Sequence, residues 1–205
     1  MQINIDKKSG IFISVIAGLL IIIMAMTMSG RHSDGFFGMH HGDSEMMDEN
    51  SSHSNLTGAD VMFLQMMIPH HQQAIDISDL ALTKSADPEL LALAKDIRDG
   101  QSAEIVKMKA WLDAVGADLD PGHSMGHDMG GMLSDSELAA LKAATGKSFD
   151  LLWLKGMTGH HDGALHMATM ITDASNPEIK SFGQAIVTTQ SAQNKQMAAM
   201  IKRMG

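Results

Sequence analysis

Apolar residues recur at every third or fourth position along four long segments of the chain, and that period predicts four amphipathic helices. The first is expected from near Thr57 to about Ser85, with Leu64, Met67, His71, Ala74, Ser78 and Ala81 on its inward stripe. The second runs from Asp87 to near Gly116 and carries Leu90, Ala94, Ile97, Gln101, Glu104, Met108 and Trp111. The third, Ser148 to about Asp173, carries Leu154, Met157, His161, Ala164, Ala168 and Ile171. The fourth opens at Asn176, continues to the C-terminus and carries Ile179, Phe182, Ile186, Gln190, Gln193, Met197 and Met200. Start signals agree with the period. Thr57 and Asp60 have capping-box spacing, as do Ser134 and Glu137 ahead of a short helix reaching about Ala144. Asp87-Pro88-Glu89 and Asn176-Pro177-Glu178 each set an N-cap before a proline at the first helical position, where the missing N–H has no partner to lose.

The helical segments repeat. Phe63, Met67, His70, His71 and Ala74 match Trp153, Met157, His160, His161 and Ala164 at a constant spacing of 90 residues. Pro88, Glu89 and Gln101 match Pro177, Glu178 and Gln190 at a spacing of 89. Neither helical hairpin could bury its stripe alone. Two duplicated hairpins predict an all-α domain over residues 56–205, an antiparallel four-helix bundle with one long crossover.

All four stripes are interrupted at mid-helix by polar residues: His71, His161, Gln101 with Glu104, and Gln190 with Gln193. A buried polar group without a partner costs about 1–3 kcal/mol, so four together imply a connected hydrogen-bond layer, a bound metal ion, or both. The histidine doublets carry a second pattern. Met66 lies four before His70, Met67 four before His71 and Met157 four before His161; His166 and Met170 repeat the spacing, with Asp162 one turn before His166. Residues one turn apart on a helix can share an ion. Imidazole suits copper and zinc, while thioether favours copper(I) and, by the same softness, silver. A methionine at helical spacing is more often a flexible core filler, and that reading stands beside the metal one.

Composition sharpens the choice. Twenty of the 205 residues are methionine and none is cysteine. The absence of cysteine removes disulfides, iron–sulfur clusters, cysteine-type zinc sites and thiol nucleophiles together, leaving His, Met and carboxylates as candidate ligands. It also suits an oxidising compartment. The net charge of −9, with no basic patch, argues against a nucleic-acid partner.

Ile11 to Met28 is an unbroken apolar and small-residue run preceded by Lys7 and Lys8. It predicts a single transmembrane anchor over 11–28 with residues 1–10 in the cytoplasm and the rest facing the periplasm or cell exterior. A cleaved signal peptide is the competing reading, although Ala25-Met26-Thr27-Met28-Ser29 is a poor cleavage site. Residues 29–55 read as a linker with Met39, His40, His41, Met46, Met47 and His53. A second such stretch, 120–133, carries His123, Met125, His127, Met129 and Met132. Loops have no core to fill, so the filler explanation of methionine does not extend to them; a drifted low-complexity loop is the rival there.

Met67-Ile68-Pro69-His70-His71-Gln72-Gln73-Ala74-Ile75, paired with Met157-Thr158-Gly159-His160-His161-Asp162-Gly163-Ala164, resembles the doubled signature of the domain of unknown function 305 family, over roughly Thr57 to Met204. Asp162 stands where the family often has Glu. The resemblance implies a ferritin-like helical bundle and copper handling outside the cytoplasm, with His70, His71, His160, His161 and nearby methionines as the residues carried over. The expectation is therefore an extracytoplasmic protein that sequesters or relays copper, copper(I) first, with copper(II), silver and zinc as alternatives. Its expected partners are metal ions, the membrane and copper-exporting or copper-accepting proteins. Two other classes remain open. A non-metal interaction module at the membrane is one. A ferritin-like metal oxidase is the other, but such sites use several inward carboxylates including Glu-x-x-His pairs, and here the layer has Glu104 alone. No nucleophile elbow or phosphate loop occurs, and catalysis is not expected.

Overall fold

The structure, a computed structural model, describes residues 55–120 and 130–205. Within them the chain forms α1 (Gly58–Lys84), α2 (Pro88–Ala114), α3 (Asp135–Ala143), α4 (Gly146–Ala168), a 3-10 turn at Thr169–Ile171, and α5 (Pro177–Met204), with no strand. The expected cytoplasmic segment 1–10, the anchor at 11–28, nearly all of the linker 29–55 and most of the loop 120–133 lie outside the described residues. Among the described residues no helix is long and apolar enough to cross a membrane.

Four of the five helices, α1, α2, α3 and α5, begin where their cap chemistry dictates. The Thr57 hydroxyl accepts from the Asp60 N–H at 3.2 Å while the Asp60 carboxylate accepts from the Thr57 N–H at 2.8 Å. Ser134 and Glu137 repeat this box at 3.3 and 2.8 Å. Asp87 caps α2 by accepting from the N–H groups of Glu89 and Leu90, and Asn176 caps α5 in the same way through Glu178 and Ile179. Reciprocal bonds of this kind satisfy the orphan donors of a first turn.

The third long helix differs from its expected limits. It starts at Gly146 and stops at Ala168, short of Asp173, because the chain tightens there into the 3-10 turn. Thr169 donates its hydroxyl to the His166 carbonyl at 2.7 Å and Thr172 to the Ala168 carbonyl at 3.4 Å. Such local side-chain bonds compete with the helical ladder, and the proline at 177 already requires a fresh start.

The long helices pair as two hairpins, α1 with α2 and α4 with α5, and the hairpins meet mainly through α1 against α4. Two apolar clusters result. One gathers Ile77, Leu93, Ile97, Trp153, Leu154 and Met197; the other gathers Phe63, Leu64, Met108, Trp111, Phe182 and Ile186. The N-terminal half of α1 thus shares a cluster with the C-terminal halves of α2 and α4, so these neighbours run antiparallel. Burying each large apolar side chain contributes about 1.5–3 kcal/mol. Trp153 also donates its indole N–H to the Ile77 carbonyl at 2.9 Å, tying α4 to α1. Along every long helix the boundary between the clusters falls at the same polar layer: between Met67 and Ala74, Ile97 and Ile105, Met157 and Ala164, and Ile186 and Met197.

Candidate metal centre

The layer contains His70 and His71 from α1, His160 and His161 from α4, and Gln101 and Gln190 from α2 and α5, all buried. Neighbouring helix positions lie about 100° apart, so a doublet cannot sit on one narrow stripe. Both members are buried here because α1 and α4 each have two partners. His71 turns to α2 and His70 to α4; His161 turns to α5 and His160 to α1. Periodicity alone placed only the second member of each doublet inward.

Four hydrogen bonds hold the rings. His71 Nε2 lies 2.7 Å from a Glu104 carboxylate oxygen, and His161 Nε2 lies 2.7 Å from Gln193 Oε1. His160 Nε2 is 2.9 Å from the His70 carbonyl, whereas His70 Nε2 is 3.3 Å from the Gly130 carbonyl. The His70 and His160 rings stack across the α1–α4 crossing with centroids 3.7 Å apart, and each ring lies 6.3–6.4 Å from its doublet partner. Burial, joined by repulsion from His71, pushes the pKa of His70 down to about 3. Burial pushes His161 down to about 4, and it drives His160 well below the ordinary histidine range with the help of the other imidazoles. These three rings are therefore neutral at physiological pH, the form that can bind a metal ion.

The Nδ1 atoms of all four histidines are buried without a hydrogen-bond partner, and so are both amide atoms of Gln101 and Gln190. Each such group costs about 1–3 kcal/mol, so the layer is not a self-satisfied network. Unpartnered imidazole nitrogens, with Met67 and Met157 four residues before His71 and His161, are a donor set whose chemistry fits a soft cation. Among the described residues no three His, Asp or Glu side chains gather into one ready-made shell.

The other candidates are distributed unevenly. Met67 and Met157 are fully buried and flank the layer from opposite sides, each within a different apolar cluster. Met66 is half-buried against the Phe63 cluster, and Met132 is half-buried between Gly131 and Leu133. His166 and Met170 are both exposed, His166 in the last turn of α4 and Met170 in the 3-10 turn that follows it. His40, His41, His123, Met125, His127 and Met129 lie outside the described residues.

One feature of the layer was not anticipated from periodicity. The backbone of Gly130 and Gly131 runs against α4, where a Cβ on Gly163 would fall 1.6 Å from the Gly130 carbonyl oxygen. Gly131 has φ of +86°, and a side chain there would strike the Gly159 carbonyl at 2.3 Å. Gln73 then clasps the Leu133 backbone, donating to its carbonyl at 2.9 Å and accepting from its N–H at 2.7 Å. Upstream, Gln65 donates to the Asp118 carbonyl at 2.7 Å. Asp118, Gly130 and Leu133 thus meet α1 at Gln65, His70 and Gln73. The available signal was the pair of glycines four apart in α4, a spacing that lets another backbone approach closely.

Residues 60–201 match the model of the family described as Domain of unknown function (DUF305). The structure resembles that of a DUF305 protein from Streptomyces coelicolor at 30% identity, covering 72% of this chain and 94% of that one, with a TM-score of 0.68. It also resembles CopM in its Cu(II)-bound form at 35% identity, covering 71% of this chain and 97% of CopM, with a TM-score of 0.63. CopM has likewise been solved in Cu(I)-bound and silver-bound forms. An uncharacterized protein of Acanthamoeba polyphaga mimivirus, L153, is 41% identical over 54 residues, a match that spans 26% of this chain and 36% of that relative.

Proposed function

The chain belongs to the DUF305 family, and from that premise we propose that it binds a soft metal ion outside the cytoplasm, with copper as its foremost cargo. The observation that carries this reading is the layer of four buried histidines whose Nδ1 atoms have no protein partner. Its likeness to CopM, solved with Cu(I), Cu(II) and silver, supports the same cargo class. Copper(I) is favoured over copper(II) and zinc because thioethers at Met67 and Met157 lie one turn from His71 and His161 and, among the described residues, no three-donor shell of harder ligands is assembled. The bundle is read as ferritin-like and raised by duplication of one hairpin. The run 11–28 would tether it to the membrane, with sequestration or relay to an export or acceptor protein as its role. Binding rather than oxidase chemistry is supported by the single carboxylate, Glu104, in a layer where a di-iron site would use several.

Titration of the full chain with copper(I) against a competing chelator tests this. We expect stoichiometric binding that is lost when His70, His71, His160 and His161 are replaced together by glutamine. Weak, sub-stoichiometric uptake that survives this replacement would overturn the proposal.

A further inference from the structure

The hydrogen bonds of the layer also decide where the imidazole protons sit. Each Nε2 faces an oxygen: the Gly130 and His70 carbonyls at 3.3 and 2.9 Å, the Glu104 carboxylate and the Gln193 amide oxygen at 2.7 Å. Carbonyl and carboxylate oxygens only accept, so Nε2 is the donor in all four rings. A neutral imidazole has one N–H, so with Nε2 as the donor its Nδ1 is a bare lone pair. All four Nδ1 atoms are buried and unpartnered. Histidines that bind metals show this arrangement repeatedly, one nitrogen on the ion and the other N–H held by a carboxylate or a carbonyl.

The two halves of the layer then differ in one atom type. Glu104 and Gln193 occupy equivalent places in the repeat, 89 residues apart, and approach their histidines at the same 2.7 Å. Gln193 orients its ring and fixes the tautomer. Glu104 does both and adds a negative charge, which offsets the charge of a cation brought into a buried layer. Resting on the reading that this layer takes a soft ion, we infer that the ion is held through Nδ1 of these histidines. Glu104 is the positioning residue that makes the His71 half of the layer fill first. If Glu104 merely closed a hydrogen-bond network, its replacement would change stability and leave the order of filling untouched.

Silver(I), a redox-stable soft ion, serves as the probe, with imidazole nitrogen resonances of the isotope-labelled full chain as the readout. Before silver is added, all four rings should show the Nε2–H tautomer. On titration the Nδ1 resonances should move, that of His71 first. Glu104→Gln should weaken the first binding step by about 10–100-fold and erase the order. Gln193→Glu should bring His161 level with His71. Glu104→Gln copies an arrangement that Gln193 already sustains at the equivalent place, so the fold should tolerate it. An Nδ1-protonated ring in the ion-free protein, silver shifting Nε2 instead, or an unchanged order in Glu104→Gln overturns the inference. Bound silver with four unresponsive imidazoles overturns it while leaving soft-metal binding intact. No bound silver by elemental analysis removes both.

Discussion

In the α1–α2 hairpin the histidine doublet is flanked by Pro69 and Gln73 and its second ring meets a carboxylate. In the α4–α5 hairpin the flanking places hold Gly159 and Gly163, and the second ring meets an amide. The doublets share one register, but a single stretch of backbone, Gly130–Leu133, treats the two hairpins in opposite ways. α4 yields to it by having no side chains at the contact, whereas α1 reaches out and clasps it with Gln73. The repeat sets the fold, while its breaks mark what only one copy has to do. One copy seats a backbone segment, and the other supplies charge.

The largest expected effect comes from acid acting on the buried rings of the ion-free protein. The folded-state pKa of His161 is about 4, against an ordinary value of 6.5, with burial as the main cause. Above pH 6.5 the ring is neutral in both folded and unfolded chains, and stability is complete. Between pH 6.5 and 4 the unfolded chain takes up a proton that the folded ring refuses, so stability falls as pH falls. The loss from His161 alone is on the order of 3 kcal/mol. His70, held at about 3, extends the decline further into acid. Urea midpoints measured from pH 7.5 to 4.5 should show this slope. Gln193→Glu should make it shallower, because a carboxylate beside His161 raises its folded pKa. A flat profile would mean that the rings are not sealed in the layer as described.

A smaller effect separates the two glycines of α4. Gly163→Ala places a methyl group where the Gly130 carbonyl already sits and should cost about 1–3 kcal/mol. Gly159→Ala meets nothing within 4 Å and should be neutral or stabilising, by up to about 1 kcal/mol, through helix propensity. Thermal unfolding of both variants checks the opposite signs. Should Gly163→Ala prove as harmless as Gly159→Ala, the Gly130–Gly131 backbone is not seated on α4.

The inward stripes were legible because burial and period coincide. Leu64, Met67, Ala74 and Ala81 on α1 and Leu154, Met157, Ala164 and Ala168 on α4 told the same story, since leucine, methionine and alanine at helical spacing require a partner surface. The caps were legible because their chemistry is local. The burial of His70 and His160 was not, because a residue off the main stripe is buried only when a second neighbour covers it, and pattern alone does not say which helices cross. The end of α4 at Ala168 was missed for another reason: Thr169 and Thr172 bond back to the preceding turn, a local choice that the apolar residue Ile171, itself buried, disguises as continued helix. The Gly130 contact required knowledge of where the crossover returns.

The smallest expected effect tests the starts of the two doublet-bearing helices. Thr57 closes a complete capping box with Asp60, so Thr57→Ala should cost about 1 kcal/mol. At the start of α4, Thr145 makes no side-chain cap bond, and Gly146 follows it with φ of +55°. That left-handed step turns the first peptide of α4 away from the geometry in which a hydroxyl reaches the next N–H groups. Thr145→Ala should therefore stay within about 0.5 kcal/mol of the parent. The repeat supplies the reason for the imbalance. Asp150 occupies the place equivalent to Asp60, 90 residues on, but Lys147 stands where the capping threonine would be, and one Asp150 carboxylate oxygen is buried without a partner. The duplicated acid has kept its position and lost its cap. Chemical denaturation of both alanine variants decides the matter: equal losses would mean that α4 is capped by its threonine after all, and that the two helix starts are more alike than their backbones indicate.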